Sequence, residues 1–384
     1  MRYVFIFVLL GVLSCGEERD NLSSGTPIEN EDAFVLPPGF PAPPIPENSP
    51  YSKERAELGR HLFYDVRLSG NGEQSCSSCH QQKFAFADGL ATPEGSTKQP
   101  LSRNSQQLTN VAYNSTLTWA NPLLKTLEAQ LLIPIFGESP VELGVTGNEK
   151  KVMDRFRSDE KYQALYAAAF DAEDPFTWEN TVKAISTFVR SLISGNSPFD
   201  KLTYQNDDSQ MSASALRGME LFYSERLECH HCHGGFNFTG STIHEGSAFD
   251  NVAFHNTGLY NINGDGSFPI NNQGVFEVSA NPDDRGRFRA PTLRNVEVTG
   301  PFMHDGSIKT LEEVIRFYEA GGRFIKEGEF AGDGRKSPLK SGFVSGFTLT
   351  DGERGDLIEF LKSLTDKEFL TNPAHSNPNP EEEK

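Results

Sequence analysis

Apolar residues along the chain recur mostly at helical spacing. Val182, Ile185, Phe188, Val189 and Leu192 form one stripe of a helix. Leu311, Val314, Ile315 and Tyr318 share a face of another, which the capping box Thr310-Leu311-Glu312-Glu313 opens and Gly321-Gly322 stops. A last amphipathic helix begins at Thr350, where Glu353 completes a second capping box. Strand signals are scarce, so the fold is expected to be mainly α. One pattern occurs twice. Gly59-Arg60-His61-Leu62-Phe63-Tyr64-Asp65-Val66-Arg67-Leu68 and Gly218-Met219-Glu220-Leu221-Phe222-Tyr223-Ser224-Glu225-Arg226-Leu227 both follow G-x-x-L-F-Y-x-x-R-L. Such self-similarity implies two related units. The turn-rich stretch Ser194 to Gln210 separates them.

The ends read differently. Arg2, the apolar run Val4 to Leu13 and the small residue Ser14 before Cys15 describe an export signal too short to span a membrane. Val12-Leu13-Ser14-Cys15 resembles a bacterial lipobox, which implies a lipid on Cys15 as the first mature residue. The expected organisation is a signal at 1–15, a Pro-rich flexible tether at 16–49 and an N-terminal unit at 50–200. A C-terminal unit at 206–335, a helix packing back within 340–370 and a disordered tail at 371–384 follow.

With 384 residues, the chain has room for two cores. A formal net charge of −18 disfavours nucleic acid and anionic membranes and favours basic partners. The only membrane contact expected is the N-terminal lipid, and the compartment expected is the periplasm or cell envelope. Phe is abundant at 29 residues, which suits either a Phe-rich core or packing around flat aromatic cofactors.

The cysteines narrow the chemistry. Apart from Cys15 they form two pairs, each followed at once by histidine: Cys76-Ser77-Ser78-Cys79-His80 and Cys229-His230-His231-Cys232-His233. A C-x-x-C pair alone serves zinc, a redox dithiol or a disulfide. C-x-x-C-H is more specific. The two thiols add across the vinyl groups of haem, and the adjacent imidazole ligates the iron. Two such motifs imply two covalent haem c groups.

The flanking motifs resemble the bacterial di-haem cytochrome c peroxidase and MauG superfamily. The resemblance is carried by Leu62-Phe63-Tyr64-Asp65 through Arg67-Leu68-Ser69-Gly70, by Arg289-Ala290-Pro291-Thr292-Leu293-Arg294-Asn295, and by Pro301-Phe302-Met303-His304-Asp305-Gly306. It covers roughly Pro46 to Thr365 and implies two cytochrome c-like units with a calcium ion between them. In the peroxidase branch, a loop histidine caps the first haem in the resting enzyme. This chain has no histidine between His80 and His230, so the first iron is expected to have an open face. The resemblance puts the second haem's distal ligand at Tyr318, as in MauG, where the peroxidases have Met; Met303 is the rival. Glu142 is the expected acid–base residue, with Gln130 and Pro134 lining the same pocket and Glu138 as a weaker alternative. Trp119 matches a relay between the haems. Asn104, Thr299 and Pro301 match calcium positions, the latter two through carbonyl oxygens.

One departure stands out. MauG carries a surface Trp two residues before its second haem motif, and this chain has Leu227 there. Trp119-Ala120-Asn121-Pro122 and Phe136-Gly137-Glu138 resemble MauG-like enzymes associated with copper-handling proteins. The implied function is peroxide-driven oxidation through a high-valent di-haem state, with Tyr318 helping the second haem store an equivalent. The expected partners are hydrogen peroxide and a small electron-transfer protein (a cytochrome c or cupredoxin) or a protein substrate. A conventional cytochrome c peroxidase is the nearest alternative, and a non-catalytic electron carrier or haem sensor is the alternative from another class.

Overall fold

The computed structural model describes residues 35–379, so the signal and Cys15 lie outside the described residues. Among the described residues, helices carry nearly all the regular structure. They are α1 (Lys53–Tyr64), α2 (Leu127–Phe136), α3 (Glu149–Arg157), α4 (Glu160–Ala169), α5 (Trp178–Arg190) and α6 (Pro198–Gln205). After them come α7 (Ala213–Phe222), α8 (Cys229–His233), α9 (Phe276–Ser279), α10 (Leu311–Glu319) and α11 (Asp351–Lys362). Two antiparallel ladders, Phe254–His255 with Phe288–Arg289 and Phe324–Ile325 with Gly332–Asp333, are the strands. No helix of the described residues is long and apolar enough to cross a membrane.

Local chemistry sets the helix starts. Ser52, Thr126, Thr177, Ser212, Thr310 and Thr350 each accept a first-turn backbone N–H through the side chain. The expected capping boxes at Thr310/Glu313 and Thr350/Glu353 are both formed. A third, Ser197 with Asp200, opens α6 inside the stretch read as turns. Pro198 at its first position has no N–H to leave unpaired, so this short helix starts cleanly.

The repeated glycines explain the duplication. In the first half α1 crosses α5, and a Cβ on Gly59 would lie 1.9 Å from the Ala184 carbonyl oxygen. In the second half α7 crosses α11, and a Cβ on Gly218 would lie 2.0 Å from the Asp356 carbonyl oxygen. These are the most extensive helix contacts of their halves. Helix α11 is therefore the closing helix of the second unit, the counterpart of α5, rather than an appendage packed back on both. Leu58, Leu62 and Phe63 enter one core with Ile185 and Phe188. Phe222 enters another with Leu357 and Phe360.

Both units lie within one compact body. Asp366 takes hydrogen bonds from Ser194 Oγ (3.1 Å) and from the backbone of Gly195 (3.1 Å) and Asn196 (3.0 Å). Arg294 pairs with Asp200 through two bonds of 2.8 and 2.9 Å, both side chains being wholly buried. A charge removed from water this completely needs its partner and further hydrogen bonds. Ser197 Oγ and the Phe236 carbonyl supply them.

Two expectations about the ends are corrected. Residues 35–49, the later part of the stretch read as a flexible tether, include Phe40, whose buried ring lies 4.7 Å from the Arg294 guanidinium. It also meets Phe236 edge-on at 5.1 Å. One well-placed aromatic over a buried cation outweighs the Pro-rich composition. The tail from 371 is also ordered as far as the described residues extend. Gln82 donates to the Phe369 and Asn372 carbonyls (3.1 and 2.9 Å), Tyr64 to the His375 carbonyl (2.7 Å) and Arg60 to the Ser376 carbonyl (3.1 Å). Backbone carbonyls do this work, so the polar composition concealed it.

Replacing Gly218 by Ala is expected to destabilise the protein by about 3 kcal/mol, because a backbone carbonyl must give way. Gly355→Ala, in the same α11 with open space around its Cβ, should be neutral or stabilising by up to about 1 kcal/mol. Denaturant melts of the two variants test the crossing, and equal midpoints would refute it.

Candidate functional site: two haem-binding centres

A short turn at Cys76–Ser78 follows α1 and brings the first pair of thiols together. Both are pushed up to about 12, chiefly by desolvation. His80 bonds through Nδ1 to the Phe86 carbonyl at 2.7 Å. A carbonyl only accepts, so Nδ1 carries the hydrogen and Nε2 is left as the free ligand. The loop reaches this geometry through Ala85 and Phe86, both in left-handed backbone conformation (φ 54° and 64°).

The second motif repeats the device. It forms the one-turn helix α8, and His233 Nδ1 bonds to the Phe238 carbonyl at 3.1 Å. Phe238 is again left-handed, with φ 49°. Desolvation lowers His233 to about 4, so the ring is neutral and able to bind a metal at neutral pH.

Around the first centre, Glu142 is pushed up to about 7 by desolvation, and its charge is felt by both Cys76 and Cys79. The Leu143 N–H donates to the Pro134 carbonyl on α2 at 2.9 Å, which pins the Glu142 loop to that helix. Gln130 lies one turn earlier on α2, and its Oε1 is buried with no hydrogen-bond partner. Glu138, the rival carboxylate, is exposed.

The second centre opens into a mostly apolar cavity. Cys229, Cys232, His233, Tyr318, Trp119, Arg289, Met303 and His304 all line it, as do Asn104, Thr299 and Pro301. The Tyr318 hydroxyl is pushed upward in pKa by desolvation and by the nearby Cys232 and Cys229 sulfurs. Met303 lines the same cavity from a loop residue with φ 72°. Trp119 donates from Nε1 to the Asn104 carbonyl at 2.8 Å, and Asn104 N–H donates to the His304 carbonyl at 2.9 Å.

The donor set fits haem. Arg289 is buried with no carboxylate partner among the described residues, and its Nη1 makes no hydrogen bond. Burial pulls it down to about 10. A buried guanidinium facing a cavity calls for an anion, and haem carries propionate carboxylates. His304 Nε2 is likewise unpartnered at the cavity wall. Gln106, from the first half, reaches the second centre, where its side-chain oxygen accepts from Arg289.

The group that satisfies this chemistry, twice over, is haem, and the chain is a di-haem c-type cytochrome. Residues 53–209 match the family model described as di-haem cytochrome c peroxidase. The chain is 32% identical over 337 residues to methylamine utilization protein MauG of Methylorubrum extorquens, covering 87% of this chain and 85% of that protein. It is 34% identical over 362 residues to cytochrome-c peroxidase IdrP1 of Denitromonas iodatirespirans, covering 89% of each. Among solved structures, a MauG-like protein associated with microbial copper homeostasis superposes with a TM-score of 0.88 at 45% identity, covering 90% of this chain and 99% of that one. The chain belongs to the di-haem cytochrome c peroxidase family, and it is an oxidoreductase.

Sequence reasoning missed three features of the centres. The acceptor carbonyls belong to a repeated F-x-F, Phe84-Ala85-Phe86 and Phe236-Asn237-Phe238, a few residues after each motif. Arg289 was visible only as part of a family motif, and His304 likewise. The F-x-F recurrence was the available signal for the first of these.

Proposed function

We propose that the protein is a MauG-type peroxide-driven oxidase whose substrate is a partner protein. The observation that carries this reading is Tyr318, set by the capped helix α10 into the cavity of Cys229, Cys232 and His233. Its hydroxyl donates to no protein acceptor among the described residues, as befits a side chain reserved for the iron. The haems would supply the iron that reduces peroxide and a reservoir for oxidising equivalents. Held by Cys229, Cys232 and His233, the second haem would take Tyr318 as a phenolate ligand, a strong donor that lowers the iron potential. In the first pocket, Glu142 takes a proton from one peroxide oxygen and returns it to the departing one, with Gln130 as a hydrogen-bonding neighbour. A carboxyl group near 7 suits both transfers. The 45% identical relative associated with microbial copper homeostasis supports a partner in copper handling over simple peroxide disposal. Export and lipid anchoring at Cys15 complete the reading.

Calcium belongs to the same proposal. Asn104 spends its side-chain N–H on the Leu90 carbonyl (2.8 Å), leaving its amide oxygen free. The Thr299 and Pro301 carbonyls accept no hydrogen bond among the described residues and share the cavity with Asn104. Three uncommitted oxygens from distant parts of the chain suit a hard cation.

Peroxide turnover should rise with pH through about 7, because only the carboxylate form of Glu142 accepts a proton. In Glu142→Gln the rate should fall about 10²-fold and lose that inflection; a variant with an unchanged pH profile would remove Glu142 from the mechanism.

Tyr318→Phe should keep both haems attached while abolishing the low-spin phenolate signal of the second. Should the variant keep its low-spin spectrum, and the parent need half-reduction before reacting, the protein is a conventional cytochrome c peroxidase. A protein inert to peroxide in every redox state would be an electron carrier.

Exhaustive calcium chelation should alter the haem spectra and slow turnover. If spectra, turnover and melting temperature all stay the same, Asn104, Thr299 and Pro301 hold no calcium.

A further inference from the structure

The second haem motif carries residues that haem attachment does not require. C-x-x-C-H needs its cysteines and final histidine only, and the first motif fills the intervening positions with Ser77 and Ser78. The second fills them with His230 and His231. Their rings meet edge-on with centroids 4.2 Å apart. Glu225, just after α7, brings its Oε1 to 3.7 Å from His230 Nε2. One ligand atom from each of Glu225, His230 and His231 lies within 4.8 Å of the other two.

Two neighbouring groups flank this cluster. Glu228 places Oε2 3.2 Å from His231 Nε2, and Phe343 packs edge-on against the His231 ring at 4.5 Å. His230 Nδ1 is buried and has no hydrogen-bond partner. The two histidines are about one-quarter exposed, whereas the Glu225 side chain is 81% exposed, so an ion has access from solvent.

We propose that Glu225, His230 and His231 form a divalent transition-metal site on the outer edge of the second haem centre. Two imidazoles and one carboxylate suit zinc or copper(II) rather than calcium or magnesium, which take all-oxygen sets. Three protein ligands leave further coordination positions to water or to a partner's side chain. The site adjoins the haem, since Glu228 and Phe343 also line the haem cavity and His230 and His231 lie between the two haem-bonding cysteines. A cation there stabilises the reduced, less positive form of the second haem. It therefore acts as an external regulator of that haem's readiness to give or take an electron.

The test uses the holoprotein in calcium-containing buffer, with zinc as a redox-silent probe. Calorimetric titration should show one site per chain. The double variant His230→Ser/His231→Ser, which copies the first motif, should bind zinc about ten-fold or more weakly while keeping both covalent haems and their spectra. Glu225→Gln, a change at an exposed side chain that leaves folding intact, should weaken binding by a smaller factor. In a spectroelectrochemical titration, zinc should shift the second haem's midpoint upward in the parent and leave it unmoved in the double variant. Absence of zinc binding in the parent, or equal affinity in the parent and both variants, would overturn the proposal.

Discussion

Two glycines set the frame. At Gly59 and Gly218 the helix leading to each haem motif runs against a backbone carbonyl of its unit's closing helix, at a distance no side chain tolerates. The crossing fixes where each leading helix ends, and so where its cysteines emerge. The aromatic residues after each glycine then enter the core, with Phe63 and Phe222 both at most 2% exposed. A haem attached at two thiols is held rigidly only if the chain bearing those thiols is itself rigid. Close helix packing provides this without spending side-chain volume.

From that shared frame the two centres diverge in their distal chemistry. Both fix the histidine tautomer through a carbonyl from a left-handed phenylalanine, so the proximal arrangement is duplicated almost unchanged. What differs is the remainder of each pocket. The first contains a carboxyl whose desolvation leaves it able to exchange protons near neutrality, and the second contains a phenol and a buried guanidinium. On the function proposed above, the first pocket would handle protons and the second would store an oxidising equivalent. Duplication followed by divergence would let each pocket meet its own demand. Gln106 and the Trp119–Asn104–His304 chain of hydrogen bonds join the halves by short covalent and hydrogen-bonded steps.

Much of this was legible from the chain because it rests on local signals. Capping boxes at Thr310 and Thr350, the stripe through Val182 to Leu192 and the C-x-x-C-H spacing are written in consecutive residues. Tyr318 could be placed inward by helical periodicity alone. What escaped depends on long-range contact or on backbone geometry. Phe40 looked like part of a tether because its partner, Arg294, is some 250 positions away. The tail looked disordered because main-chain carbonyls anchor it, and these have no sequence signature. The left-handed conformations at Phe86 and Phe238 belong to residues that rarely adopt them, so only the folded loop discloses the acceptor carbonyls. Helix α6 was hidden among turn-forming residues that also cap helices.

The anchored tail bears on the order in which the protein matures. Phe369 packs edge-on against Phe86 at 5.8 Å, and Phe86 supplies the carbonyl that orients His80. Gln82, two residues beyond His80, donates to the carbonyls of Phe369 and Asn372. The support of the first haem ligand is thus completed by residues made nearly 300 positions later. In a chain emerging N-terminus first, Cys76 and Cys79 are in place before this support exists. The unit synthesised first is consequently the one whose ligand geometry is finished last.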